Sequence, residues 1–366
     1  MRRPYVEIGP WLDAFRRQAA AANDQERVYL CNILNNAFQQ REKNPEQALS
    51  MCREAAAIAE RLHEPWMILY YEYWIAEMLI FYLGRYEKGL ELATRLVTKA
   101  SHELYTSCPV RGRVFITLIA VYFELDTLSY VDEIRAMIET LENDIPIDED
   151  THQRLFFYRA CLWMELQDYD NATIEALKYV EISTNSLFRA ATAYSTLCHL
   201  SYLQHNDQQT LDYAYLTQEK ALQDGRLQAL VANSHRWQAA LLSLQGETDE
   251  AHRLFLLAAA QASVLNLPDE RNGLWGNCRY YDVNGEHEKS LALWEKQIQQ
   301  MDPKTPNRQS YFYIFLRRCF TLRKLGRLTE ADLDQIHQAA HRMRKPEKYL
   351  ALIEQLHDGK TEIPRY

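Results

Sequence analysis

Histidines and cysteines are the side chains most able to do chemistry in this 366-residue chain, which has eleven of the first and seven of the second. His337 and His341 stand four apart, a spacing that puts two imidazoles on one helical face, where a metal ion could take both. No glutamate lies between them and no third ligand can be argued. They read as an exposed helical pair, and no metal is expected. The cysteines, at 31, 52, 108, 161, 198, 278 and 319, form no CxxC and no close pair. An odd number at wide spacing suits a reducing compartment rather than a disulfide framework. Asp148, Glu149 and Asp150 lack the spacing of a calcium loop. There is no phosphate-binding glycine loop and no GxSxG elbow. The expectation is a protein that is not an enzyme and carries no cofactor.

Composition agrees with an ordinary soluble chain: 47% hydrophobic, 25% charged, net charge −9. That charge argues against general nucleic-acid binding. Two arginines near the start have no apolar run behind them, so no secretory signal is read. The most membrane-like stretch, Trp66 to Leu83, is interrupted by Glu72 and Glu77, which favours a buried helix over a bilayer span. A cytoplasmic location follows.

The elements that would position any site come from a recurring turn. Leu244-Gln245-Gly246-Glu247-Thr248-Asp249-Glu250-Ala251 ends one apolar helix, turns at glycine and opens another with acids in its first turn. Versions of it recur around Gly84, Gly285 and Gly326. With weaker turns near Lys43, Leu128, Gln167 and His205, the spacings are 41, 44, 39, 38, 41, 39 and 41, a period near forty. Five residues after the turns stand Ala48, Gly89, Glu133, Ala172, Thr210, Ala251, Ser290 and Ala331, nearly all small. Seven residues before the last five stand Ala160, Cys198, Ala239, Cys278 and Cys319. Small residues let paired helices approach closely, and Cys serves there as a compact apolar side chain. Pro65, Pro109, Pro268 and Pro306 mark the starts of first helices, each about 18 residues or roughly 27 Å long.

The third unit, with its long turn Leu125 to Tyr130, is the least regular, and the array is expected to bend there. Residues 10–22 read as a leading cap, and Glu347 to Leu356 as a closing cap over the last apolar face. Residues 1–24 are therefore read as an N-terminal capping segment, 25–345 as eight helical hairpins, and 346–366 as a C-terminal cap and tail.

The small columns and the turn glycine resemble the tetratricopeptide repeat, best matched by Leu83-Gly84-Arg85-Tyr86-Glu87-Lys88-Gly89-Leu90-Glu91-Leu92-Ala93. The period looks like the longer variety in the sensor regions of maltose-operon-activator-type regulators and response-regulator aspartate phosphatases. The resemblance covers about residues 25–345. It implies an all-α, right-handed α-α superhelix whose first helices line a concave face. The repeat's early Trp is replaced by Tyr73, Phe156, Tyr194 and Phe315, and by His235 in the sixth unit. The family's inner positions lie about thirteen, ten and six residues before the turn. They imply a groove with Asn233, Arg236 and Ala240 in unit six, Asn272, Trp275 and Arg279 in unit seven, and Thr192, Ser195 and His199 in unit five. The amides would pair with a peptide backbone, Arg236 and Arg279 with a carboxylate, and Trp275 with an apolar side chain.

Arg111 and Arg113, with Tyr70, Tyr71 and Trp74, are secondary candidates. The many aromatics around them either form an exposed patch or pack on the N-terminal helix, with packing preferred. Charge is uneven: net −11 from Glu124 to Glu181 and +6 from Pro306 to Lys348, so self-association is open to the chain. The expected function is a non-catalytic scaffold or regulatory adaptor that binds another protein or an extended peptide segment. The alternative is a signal-sensing regulator whose superhelix changes shape on binding a peptide or small ligand. Neither membrane nor nucleic acid is an expected partner.

Overall fold

The structure, a computed structural model, describes residues 10–41, 43–143, 148–264, 273–301 and 308–357. Every long element among them is an α-helix. In order these are α1 (Pro10–Ala21), α2 (Gln25–Gln40), α3 (Pro45–Arg61), α4 (Pro65–Glu77), α5 (Tyr86–Ala100), α6 (Arg111–Leu125), α7 (Val131–Asn143), α8 (Glu149–Glu165) and α9 (Tyr169–Ile182). There follow α10 (Leu187–Leu203), α11 (Asp207–Leu222), α12 (Gln228–Leu244), α13 (Thr248–Val264), α14 (Leu274–Val283), α15 (His287–Gln300), α16 (Arg308–Lys324), α17 (Glu330–His341) and α18 (Pro346–His357). From α2 to α17 they pair as hairpins, with α1 and α18 at the ends. No helix among the described residues is long and apolar enough to cross a membrane.

The turns explain the pairing. Gly84, Gly246, Gly285 and Gly326 all have positive φ, from 64° to 84°. This left-handed geometry ends a helix and is easy only for glycine. Gln167 and His205 adopt it too, at 60° and 58°, so these two weaker turns share one geometry with the glycine turns. Four of the second helices are then capped by a side chain. The side chains of Asn44, Asp168, Asn206 and Thr329 each accept a backbone N–H three residues on, satisfying a donor that the helix leaves orphaned.

The small columns are where paired helices meet. Ala48, Ala172, Thr210, Ala251 and Ser290 are fully buried, as are Ala160, Cys198, Ala239, Cys278 and Cys319. The Cys278 Sγ lies 3.9 Å from the Ser290 carbonyl, joining the two columns directly. In the last hairpin the register slips. Cys319 reaches the Asp332 carbonyl instead, at 3.7 Å, and Ala331 is exposed. The cause is the reciprocal capping box of Thr329 and Asp332, which delays the start of α17. Burial raises the thiol of every cysteine, to about 11 for Cys31 and Cys108 and about 12 for Cys52, Cys161 and Cys319.

The chain forms two compact bodies, and the division falls within α8. In the first body the aromatics of α4 are buried. Trp11 of α1 meets Tyr70 edge-on at 5.1 Å, Phe38 of α2 meets Trp74 at 5.4 Å, and the Tyr71 hydroxyl donates to the Leu30 carbonyl. The packing alternative therefore holds, and Trp66 is the member left partly exposed. Arg111 donates to the Ala100 carbonyl and Arg113 to Asp148 at 2.8 Å, so these secondary candidates hold helices together. Burial raises the Asp148 carboxyl, but Arg113 and Thr151 more than offset this and hold it below its ordinary value.

The second body contains residues 126–129 and the chain from Phe156 onward. Its helices stack in sequence, and α10 also touches α12, so first helices of neighbouring hairpins approach one another. The irregular turn of the third unit is buried at its far end. Asp126, 3% exposed, accepts from the Arg344 backbone N–H at 3.1 Å, the Ser129 N–H at 3.1 Å and the Tyr349 hydroxyl of α18. The Ser129 Oγ accepts from the Lys345 N–H at 3.0 Å. Leu128 joins a core of Phe312, Phe320, Ile336, Met343, Tyr349 and Ile353. The helix α18 thus packs on the last hairpin, and its N-terminal end also clasps a turn more than two hundred residues earlier. Of the four prolines read as helix starts, Pro65 opens α4 and Pro109 stands two residues before α6. Pro268 and Pro306 lie outside the described residues.

Two substitutions test this packing. A Cβ on Gly89 would stand 2.2 Å from Cγ1 of Ile80. Overpacking of that kind costs about 1–3 kcal/mol, more than the roughly 1 kcal/mol gained in helix propensity. Gly89→Ala should therefore lower the urea midpoint, and the loss should vanish in an Ile80→Ala background. Asp126→Ala removes three hydrogen bonds to a buried carboxylate and should cost about 3 kcal/mol. A midpoint equal to that of the native chain would show that the clasp does not hold the body closed.

Candidate functional site

One wall of the second body is built from its first helices. The N-terminal end of α10 is held by Ser186, whose Oγ accepts the Arg189 N–H, and the helix carries His199 and Tyr202. Trp237 comes from α12, Trp275 and Arg279 from α14, and Arg317 from α16. Arg279 sits over the Trp237 ring, its Cζ 3.2 Å from the ring centre, and 4.5 Å from that of Tyr202. Tyr202 and Trp237 meet edge-on at 4.9 Å, and the His199 ring is 6.0 Å from Trp237. Trp275 is 38% exposed, rests edge-on against Trp294 at 5.1 Å, and has the Arg317 guanidinium 5.8 Å from its centre.

Of the expected residues, all but one fall among the described ones. His199 and Arg279 are half-buried in this cluster, and Trp275 stands at its edge. Asn233 is half-buried on α12. Arg236 does not face the wall. It is 2% exposed, its Nε donates to Asn277 Oδ1 at 2.9 Å, and its stem presses on the bare Cα of Gly276. The position ten residues before the turn therefore points into the stack in unit six, although Trp275 at the same offset is exposed in unit seven. Asn272 lies outside the described residues. Ala240 is fully buried.

The sequence reading missed Tyr202, Trp237 and Arg317. Trp237 and Arg317 both stand nine residues before their turns, one place from the offset carried over. Tyr202 lies three residues after His199, one helical step along the same face.

The electrostatics of the wall follow from crowding. His199 is surrounded by protein on most sides. Burial lowers its pKa to about 3, with help from the charges of Arg279 and Arg317, so it is neutral at physiological pH. Glu165, at the end of α8, is moved the other way. Burial pushes it up to about 7, although the Tyr313 hydroxyl donates to it at 3.1 Å and the Gln309 amide at 3.2 Å. Gln309 accepts in turn from the Thr127 N–H at 2.6 Å. These bonds join α8 to α16, so the run of first helices returns on itself within this body.

Behind the wall, His235 links α11 and α13. Its Nδ1 is 3.0 Å from Gln261 Oε1 and its Nε2 is 2.9 Å from the Gln218 amide nitrogen, which fits a neutral ring donating from Nδ1 and accepting at Nε2. Burial holds its pKa below the usual value. Among the described residues no group of three His, Cys, Asp or Glu is placed to hold a metal ion. The His337 Nδ1 meets the Leu333 carbonyl of its own helix at 2.9 Å.

The wall offers flat aromatic faces, guanidiniums oriented by them, and a neutral imidazole. Such a surface can take planar or anionic groups and anchor apolar side chains. No protein-family model matches the chain. No curated protein matches it either.

Glu165 gives a pH signature. Its folded pKa, about 7, lies above the ordinary carboxyl value of 4.5, so the folded state binds more protons between those values. Its contribution to stability is full below pH 4.5 and is lost as pH rises towards 7. His199 and His235 act oppositely, since their folded pKa values are lowered. The difference in urea midpoint between Glu165→Gln and the native chain isolates the carboxyl. It should move in favour of the variant from pH 5 to pH 8, and a flat difference would refute the raised pKa.

Proposed function

We propose that the protein is a non-catalytic binding scaffold or regulatory adaptor, taking another protein or an extended peptide on the inner wall of a tetratricopeptide-like superhelix. The single observation that supports this most is the cluster of Trp237, Tyr202, Trp275, Arg279 and Arg317 on successive first helices. Trp, Tyr and Arg carry most of the energy in protein recognition, because they supply large contact area and directed donors at low entropic cost. Here stacking holds them in place before any partner arrives, which lowers the cost of ordering them on binding. The half-exposed edge of Trp275 offers an apolar anchor beside the charges.

A second reading has its own support. The clasp between residues 126–129 and 344–349, and the link from Glu165 to Gln309 and Tyr313, are polar closures. A ligand that preferred an opened body would shift that equilibrium by its differential affinity and expose a different surface. In this reading the protein senses a peptide or small ligand and transmits its presence.

One experiment separates these readings. The native chain and a Trp275→Ala, Arg279→Ala variant serve as bait in the native cell extract, with captured proteins identified by mass spectrometry. A scaffold using this wall should lose its partner at least about tenfold in the variant while helicity is unchanged. Capture of the same proteins by both would remove the wall as the binding face. Scattering profiles of the native chain with and without that partner then decide between a rigid wall and a sensor, which must change its radius of gyration.

A further inference from the structure

The second helices of the same body carry a pattern of their own. Ten residues after the turns at Gln167, His205 and Gly246 stand Leu177 on α9, Tyr215 on α11 and Leu256 on α13. All three are between 44% and 54% exposed. The same place also faces outward in the hairpins that turn at Lys43, Gly84 and Gly285, where it holds Arg53, Thr94 and Glu295. Repeat geometry therefore exposes this place, and three consecutive hairpins fill it with apolar side chains. Ile174, three residues before Leu177, and Leu257, beside Leu256, widen the row. Single exposed apolar residues are ordinary, but a row in register marks a surface that something covers.

Acids border the row. Asp170 stands four residues before Ile174, and Glu181 four after Leu177. Asp212 stands three before Tyr215, and Glu219 four after it. These steps keep each acid on the helix face that carries the apolar residue, and all four acids are exposed. Together α9, α11 and α13 hold eight acids and three bases, a net charge of −5. Each base already pairs with an acid of its own helix: Lys178 with Glu175 at 3.1 Å, Lys220 with Glu219 at 2.9 Å and Arg253 with Glu250 at 2.6 Å. The charge balance over these helices is therefore negative.

We propose that this row docks an amphipathic helix of another protein, its apolar stripe on Leu177, Tyr215 and Leu256 and its lysines or arginines over the acids on either side. A helix fits because its polar flanks lie on both sides of its apolar stripe, whereas a strand turns its polar side chains to the opposite face. A second copy using the same row would set acids against acids. The basic hairpin of a second copy, α16 and α17, offers no large exposed apolar side chain among the described residues. Anionic lipid and nucleic acid would be repelled. The row is separate from the first-helix wall, so the proposal stands whether or not that wall takes a peptide.

The test uses the immobilised full-length chain and synthetic helical peptides of about five turns. The first has a leucine stripe flanked by lysines. In the second the lysines are glutamates, in the third the leucines are serines, and the fourth shuffles the first. The first should be retained about tenfold over each of the others. Leu177→Ser, Tyr215→Ser, Leu256→Ser should abolish that preference with helicity unchanged, while Trp275→Ala, Arg279→Ala should leave it intact. Glu181→Gln, Glu219→Gln should lower it severalfold and flatten its dependence on salt, and this pair serves if the serine variant loses helicity. Equal retention of the lysine and glutamate peptides overturns the proposal. So does retention that the serine and glutamine variants leave unchanged. A dimer of the native chain that the serine variant lacks assigns the row to a second copy, and binding to anionic vesicles that the same variant loses assigns it to a membrane; either result overturns the proposal.

Discussion

Two helices packed as a hairpin cover each other on one side only, and everything else in this protein depends on how the second side is covered. Close approach within the pair comes from the small columns, where a cysteine or alanine faces a serine, threonine or alanine across the turn. That contact brings backbones near enough for the Cys278 thiol to meet a carbonyl on the next helix. The outer faces of each pair remain apolar and are buried by the next pair. A buried Leu or Ile side chain is worth about 1.5–3 kcal/mol, so every added hairpin strengthens its neighbour, and the ends need caps. At the C-terminal end, α18 supplies Tyr349, Leu352, Ile353 and Leu356 to that task.

Polar bonds do what stacking cannot. Apolar burial is nearly indifferent to direction, whereas the carboxylate of Asp126 accepts from three donors at fixed angles. It therefore selects one closure of the second body from many of similar area. Glu165, Gln309 and Tyr313 make a second closure, between α8 and α16. A body held shut by a few buried hydrogen bonds has a steep, local cost of opening, on the order of 1–3 kcal/mol for each group left unsatisfied.

The repeat pattern was legible because it is local. Left-handed turns fall at Gln167 and His205 as well as at the glycines, so the phase of the columns, not the glycine itself, carried the signal. The same logic explains the buried cysteines. It failed where a nearby feature overrode the repeat. The capping box at Thr329 moved Ala331 to the surface. In α12 the bare Cα of Gly276 on the adjacent α14 leaves room for Arg236 to turn inward. The closures were illegible for a different reason. Asp126 and Tyr349 are 223 residues apart, and no periodicity links a turn to a distant cap. The irregularity of the third turn was visible, but the reading of it as a bend had no means of naming the partner that holds it.

The cluster of Arg279, Arg317 and His199 shows how charge is held in a crowded site. Two guanidiniums in a crowded site repel one another and any protonated imidazole, and burial raises the cost of each charge. The structure meets that cost in three ways. It leaves His199 neutral. It lays Arg279 on aromatic faces, whose negative quadrupoles partly replace lost water. It keeps Glu165 near its own midpoint at neutral pH rather than fully charged.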